Sequence, residues 1–148
     1  MNVLFLDYDG VVNTKMWDKE GKICRYNYPE DGSVNNFQSV QWVSEFCDRC
    51  GYSIVVTSTW AMHENYAECL RRGGLRDSIK ILGKTDNYST IEEKITAYLN
   101  KHPEIYKYII FDDKRIKGKH SLKFVWCDSR VGFSERDYIK ALKIHNRT

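Results

Sequence analysis

The chain has 148 residues, a net charge of +3, 42% hydrophobic and 29% charged residues, and only 2 Pro and 9 Gly. This is globular composition, which excludes a disordered or low-complexity chain. At this length folding buries roughly 70% of the extended chain's surface, so one domain over 1–148 with a real core is expected, without disulfide staples. Five cysteines, Cys24, Cys47, Cys50, Cys69 and Cys127, are an odd number and suit reduced thiols. No apolar run approaches the ~18 residues of a membrane span, and Val3 to Leu6 is too short for a signal-peptide core. A cytoplasmic protein with no membrane contact is expected; oligomeric state is not legible.

The first element in chain order is the apolar run Asn2 to Leu6, the pattern of a buried strand, which meets Asp7-Tyr8-Asp9-Gly10. Residues 10 to 32 are polar and rich in turn formers. They read as a loop or flap, with a small hairpin through Lys22 to Tyr28. Ser33 to Cys50 carries apolar residues at helical spacing and ends before Gly51. Ser53 to Val56 is a β-branched second strand, and Trp60 to Arg72 a helix stopped by Gly73-Gly74. Ile79 to Leu82 is a weak third strand. Thr90-Ile91-Glu92-Glu93 forms a capping box, whose helix would bury Ile91, Ile95, Tyr98 and Leu99 and stop before Pro103. Tyr108 to Phe111 and Leu122 to Trp126 are the last strands, and Ser134 caps a helix through Ile144. The order βαβαβαββα predicts an α/β, Rossmann-like three-layer sandwich: a five-stranded, mostly parallel sheet with helices on both faces and no cap domain.

Ligands of such sheets bind at the carboxyl ends of the strands. There the sequence puts Asp7 and Asp9, then Thr57-Ser58-Thr59, then Asp112-Asp113. Two carboxylates ~4 Å apart repel by about 4 kcal/mol at an effective dielectric near 20, so such a cluster must hold a cation or raise its pKa values. The donors are all oxygens, which favours Mg2+ over Zn2+. Asp7 and Asp9, two apart on an extended strand end, lean to the same side and can face one ligand. Gly10 lets the chain turn there. Cys47-Asp48-Arg49-Cys50 lacks a second pair for zinc and is read as structural. His63 lies one turn into the helix after Thr57 and is within reach of the site, though a surface or core role is the commoner one. Tyr8, Trp17, Tyr26, Tyr28 and Trp60, with Lys15, Lys19, Lys22 and Arg25, are candidates for stacking bases and tracking phosphates.

Leu4-Phe5-Leu6-Asp7-Tyr8-Asp9-Gly10-Val11-Val12-Asn13 resembles the first motif of the haloacid dehalogenase superfamily. Thr57 after Ile54-Val55-Val56 resembles its second motif, and Ile109-Ile110-Phe111-Asp112-Asp113 its fourth. Thr57-Ser58-Thr59-Trp60, Gly83-Lys84-Thr85 and Gly132-Phe133-Ser134 are similar to a capless subgroup, the phosphatase-like domains of RNA repair proteins. The resemblance implies a Mg2+-dependent phosphatase with Asp7 as nucleophile and Asp9 as general acid and base. It implies Mg2+ held by Asp7, the carbonyl of Asp9, Asp112 and Asp113. Thr57 and Ser58 would bind the phosphoryl group, helped by a helix starting near Thr59. The balancing lysine of the third motif is Lys84 or Lys94, with Lys84 slightly preferred; the subgroup's basic position near 91 holds Ile91. Lys114 is a further charge partner for the aspartates.

The substrate is a phosphorylated molecule, and the gaps between motifs leave no room for a folded cap. An open site suits a large substrate such as a nucleic-acid end. The alternative is a non-catalytic phosphate- or RNA-end-binding module, against which the acid at position 9 speaks. A receiver-type domain fails because the third strand ends in Leu82-Gly83-Lys84, not Asp, and a nicotinamide-binding domain fails for want of G-x-G-x-x-G.

Overall fold

The structure, a computed structural model, describes residues 1–17, 20–87 and 90–147, and only the backbone of 17 and 23–25. Its centre is β1 (Asn2–Leu6), whose four apolar residues Val3 to Leu6 are fully buried. The other sheet strands are β4 (Tyr52–Val56), β5 (Ile81–Lys84), β6 (Lys107–Asp112) and β7 (Phe124–Trp126). They lie in the order β5-β4-β1-β6-β7, and every pairing is parallel. The expected five-stranded sheet is therefore present, and wholly parallel.

Alternate residues of β1 serve two cores, as the period of a strand requires. Leu4 and Leu6 pack with α1 (Phe37–Cys50), α2 (Tyr66–Arg72) and α4 (Glu135–Asn146). Val3 and Phe5 pack with α3 (Ile91–Lys101), whose Ile95 is fully buried. Helices thus cover both faces, giving three layers. Among the described residues no helix is long and apolar enough to cross a membrane.

Strand order runs β1-β4-β5 to one side of β1 and β6-β7 to the other, so the switch in direction lies at the carboxyl end of β1. The ladder continues one residue past the strands: Asp7 N–H donates to the Phe111 carbonyl (3.1 Å) and Thr57 N–H to that of Leu6 (2.9 Å). These bonds level the ends of β1, β4 and β6 with one another.

Several boundaries move. Helix α1 starts at Phe37, not Ser33, because the Asn36 side chain caps it, accepting from Ser39 N–H at 3.0 Å. The expected helix from Trp60 to Arg72 divides into a single 3-10 turn, Thr59–Met62, and the short α2. The third sheet strand sits two residues later than expected. Residues Ser121–Lys123 form a 3-10 turn before β7. The hairpin in the first loop is present but begins earlier, pairing β2 (Lys15–Trp17) with β3 (Ile23–Tyr26).

Candidate active site

Three carboxylates meet where β1 and β6 end. Asp7, Asp112 and Asp113 each offer an oxygen, all within 4.8 Å of one another. Asp112 is buried; Asp7 and Asp113 are partly so. The approach of Asp113 is made possible by Gly10, which has φ 90°: a Cβ there would lie 2.4 Å from the Asp113 carboxyl group. Burial, then the charges of Asp112 and Asp113, hold Asp7 well above the usual carboxylate range. Burial pushes Asp112 up to about 7, with Asp113 adding to the rise. The Lys114 N–H donates to Asp112 Oδ1 at 2.9 Å, which opposes it.

Asp9 is held on both oxygens. Asn13 Nδ2 donates to Oδ1 at 3.0 Å, and the Tyr28 hydroxyl donates to Oδ2 at 2.8 Å. Asn13 is itself fully buried and accepts from the Asn35 N–H at 2.6 Å, so it is a fixed prop. Tyr28 comes from just beyond the hairpin, and its ring meets Trp60 edge-on at 4.9 Å. Burial and the bond to Asp9 push the Tyr28 hydroxyl up to about 12. Tyr26, stacked on Tyr28, is likewise raised, by burial first and then by the aspartates.

A cavity of about 510 Å3 collects these groups. Its walls include Asp7, Asp9, Asp113, Thr57, Lys94 and Tyr26. The Thr57 hydroxyl is one of two buried side-chain polar atoms without a hydrogen-bond partner among the described residues. A buried hydroxyl left unpaired costs about 1–3 kcal/mol, and this one belongs to a residue of the cavity wall. Ser58, also on the wall, has its oxygen committed: it caps the 3-10 turn, accepting from Trp60 N–H at 3.2 Å. The helix start expected near Thr59 is this turn, so no helix N-terminus faces the site.

Of the two candidate lysines, Lys94 lines the cavity and donates to the Thr57 carbonyl at 3.0 Å. Lys84 faces a smaller adjoining cavity of about 150 Å3 and donates to the Ala61 carbonyl at 2.8 Å. Lys94 is thus the one of the two that lines the cavity holding the aspartates. Lys114 and Ile91 also line the main cavity.

Other expectations resolve differently. Tyr8 is fully buried, its hydroxyl on the Tyr66 carbonyl, and cannot stack a base at the entrance. His63 is exposed and is not among the residues lining the main cavity. Cys47 and Cys50 pack into the core beside α1 as free thiols. Lys15 lies over the Tyr26 ring at 5.8 Å. Lys19, and the side chains of Trp17 and Arg25, lie outside the described residues. Asn13 stood in the first motif without a role, and its contact with Asp9, four residues back, was the only local signal for one.

The donor set fits a hard divalent cation: three oxygens in reach of one another, like-charged, with no sulfur or imidazole. Asp9, Thr57 and Lys94 line the same cavity, adding a further carboxylate, a hydroxyl without a partner among the described residues, and an amino group. Comparison with known proteins agrees with that geometry. The family model described as "HAD domain in Swiss Army Knife RNA repair proteins" matches residues 3–138. No curated protein matches the chain. With the match covering nearly all of the sheet and the three expected strand-end motifs, the chain belongs to the haloacid dehalogenase-like hydrolases, in the family of HAD domains of Swiss Army Knife RNA repair proteins.

Proposed function

We propose that the chain is a Mg2+-dependent phosphomonoesterase that works through an aspartyl-phosphate on Asp7 and acts on a phosphorylated nucleic-acid end. The observation that carries this reading is the pairing of a like-charged carboxylate trio with an unpartnered buried hydroxyl, Thr57, on one cavity wall. The trio calls for a cation and the hydroxyl for an anion's oxygen; a phosphate ester with its metal satisfies both.

Asp7, Asp112 and Asp113 would hold the cation. Bound there, it neutralises the carboxylates and draws charge from the phosphate. A carboxylate oxygen of Asp7 then attacks phosphorus, and the bond to the leaving oxygen breaks as Asp9 gives that oxygen a proton. Asp9, now ionised, takes a proton from water. The water oxygen attacks the phosphoryl group and releases inorganic phosphate, restoring both aspartates. Thr57 donates to a phosphoryl oxygen, and Lys94 supplies positive charge beside it. Asn13 keeps Asp9 pointed at the site. Because Asn13 is buried and Tyr28 is 43% exposed, the leaving oxygen displaces Tyr28 from Asp9. The segment just after the hairpin, which carries Tyr28, is thus the part that yields to substrate.

The test is a screen of phosphorylated compounds with and without Mg2+: an aryl phosphate, mononucleotides, and oligonucleotides bearing a 3′- or 5′-phosphate. Mg2+-dependent release of phosphate from an oligonucleotide end supports the whole reading. Activity on small metabolites alone removes the nucleic-acid part, and no release from any of them removes the enzyme.

A further inference from the structure

A second cavity, about 640 Å3, lies outside the site, between the edge strand β7 and the start of α4. Its walls are strongly basic. Helix α4 contributes Arg136, Lys140 and Lys143, spaced four and three apart and so on one helical face. From Tyr138 to Arg147 the chain has no acidic residue. Across the groove Arg115 lies over the Trp126 ring at 4.1 Å. All four cations are exposed, and none is in an ion pair among the described residues. The two acids in the walls are occupied: Asp128 pairs with Arg130 at 2.8 Å, and Asp137 is buried as the cap partner of Ser134. Exposed Val131 and Ile139 add an apolar strip, and Trp126 is half-buried.

The groove adjoins the aspartates. Trp126 Nε1 donates to the Asp113 carbonyl at 2.7 Å. Asp113 and Lys114 line the first cavity and Arg115 the second, so a single loop forms the wall between them.

We infer that this groove binds a stretch of single-stranded nucleic acid, whose phosphates meet the α4 stripe and Arg115 and whose bases meet Trp126 and the apolar strip. The combination of cations along a line with an aromatic face and apolar surface is the chemistry that tracks a single strand without reading its sequence. An acidic peptide would meet the same charges but has no use for the ring face. The inference rests on the phosphomonoesterase reading and names where its substrate's body would lie: a strand with its end at Asp7 would pass over Lys114 and Arg115 into the groove.

The test is fluorescence anisotropy with a labelled oligouridylate of roughly a dozen nucleotides that carries no terminal phosphate. Its binding therefore does not depend on the chemistry at Asp7, and the two readings fail separately. Replacing both Lys140→Gln and Lys143→Gln should weaken binding at least tenfold. It should also make the slope of log K against log[salt] shallower by about 1.4, two contacts at roughly 0.7 each. Arg136→Gln alone should weaken binding in the same direction. Lys80→Gln with Lys107→Gln, at the amino ends of β5 and β6 and outside the groove's walls, removes equal charge and should change binding less than twofold. Equal losses from both pairs, or no loss from the first, overturn the inference. Tighter, Lys140-dependent binding of polyglutamate overturns it in favour of an acidic protein partner.

Discussion

Two buried polar clusters flank β6, and they are built on opposite terms. On the α3 side, His120 is 3% exposed and uses both ring nitrogens: one with Thr96 Oγ1 at 2.8 Å, the other with the Tyr108 hydroxyl at 2.6 Å. At the carboxyl edge, Asp7, Asp112 and Asp113 crowd like charges together and Thr57 Oγ1 has no partner. The first cluster is complete as it stands. On the proposed function, a cation and an anion complete the second. A buried polar network that is satisfied specifies a fold, whereas one left unsatisfied stores a demand for ligand. Mutations should therefore cost activity without stability in one cluster, and stability without activity in the other.

The largest effect is expected from Asp7→Asn. On the proposed mechanism it removes the nucleophile and should lower Mg2+-dependent turnover of an aryl phosphate by roughly a thousandfold or more. Because it also removes a charge from a like-charged trio, the thermal midpoint in chelator should hold or rise. A variant with wild-type turnover would end the aspartyl-phosphate mechanism. Thr57→Val comes next. The hydroxyl bonds nothing in the resting protein, so stability should change by less than about 0.5 kcal/mol. Turnover should fall by about ten- to a hundredfold, as for loss of one transition-state donor. A large loss of stability with turnover retained would mean the hydroxyl serves the fold.

The satisfied cluster should behave in reverse. His120→Ala leaves Thr96 Oγ1 and the Tyr108 hydroxyl unpaired and should cost about 1–3 kcal/mol in chemical denaturation. Turnover under native conditions should stay within about twofold. Turnover falling in step with the Asp7 variant would erase the contrast.

How much of this the chain announces follows the same division. Strand β1 and its aspartates were legible because a strand buried on both faces reads as an unbroken apolar run, and Asp7 breaks it abruptly. Thr57 and Asp112 were legible for the same reason. The lysine was not. Choosing between Lys84 and Lys94 depends on where β5 ends and how it is registered. That strand is irregular: its pairing with β4 shifts between Ile54 and Val55, and Gly83 sits at φ 150°. Lys84 is the last residue of that strand and lines the adjoining cavity, not the one that holds the aspartates. The contacts of Tyr26 and Tyr28 were illegible too, because residues 10–32 have no period and their place is set by contacts with Asp9 and Trp60. The expected helix after Thr59 is broken because the 3-10 turn that Ser58 caps stops at His63, whose backbone is extended, and α2 starts only at Tyr66.

The smallest expected effect is on pH, and here the clusters pull in opposite directions. Asp112 has a folded pKa of about 7 against 3.8 when free. Over that window the folded chain keeps a proton that the unfolded chain has released. Stability is thus greatest on the acid side and is lost as pH rises through about 7. Burial lowers His120 below its ordinary 6.5, so the unfolded chain takes up the proton first. Its contribution is present above 6.5 and is lost as pH falls below that value. In chelator the midpoint should fall by a few degrees between roughly pH 5 and 8, because the aspartates outweigh the single imidazole. Asp112→Asn should flatten that fall. His120→Gln should steepen it below pH 6.5, where the opposing imidazole has gone. On the proposed function Mg2+ binds the ionised trio, so it should raise the midpoint at pH 8 more than at pH 5. A Mg2+ effect equal at both values, or one that survives Asp112→Asn unchanged, would place the cation away from these carboxylates and leave their repulsion without a purpose.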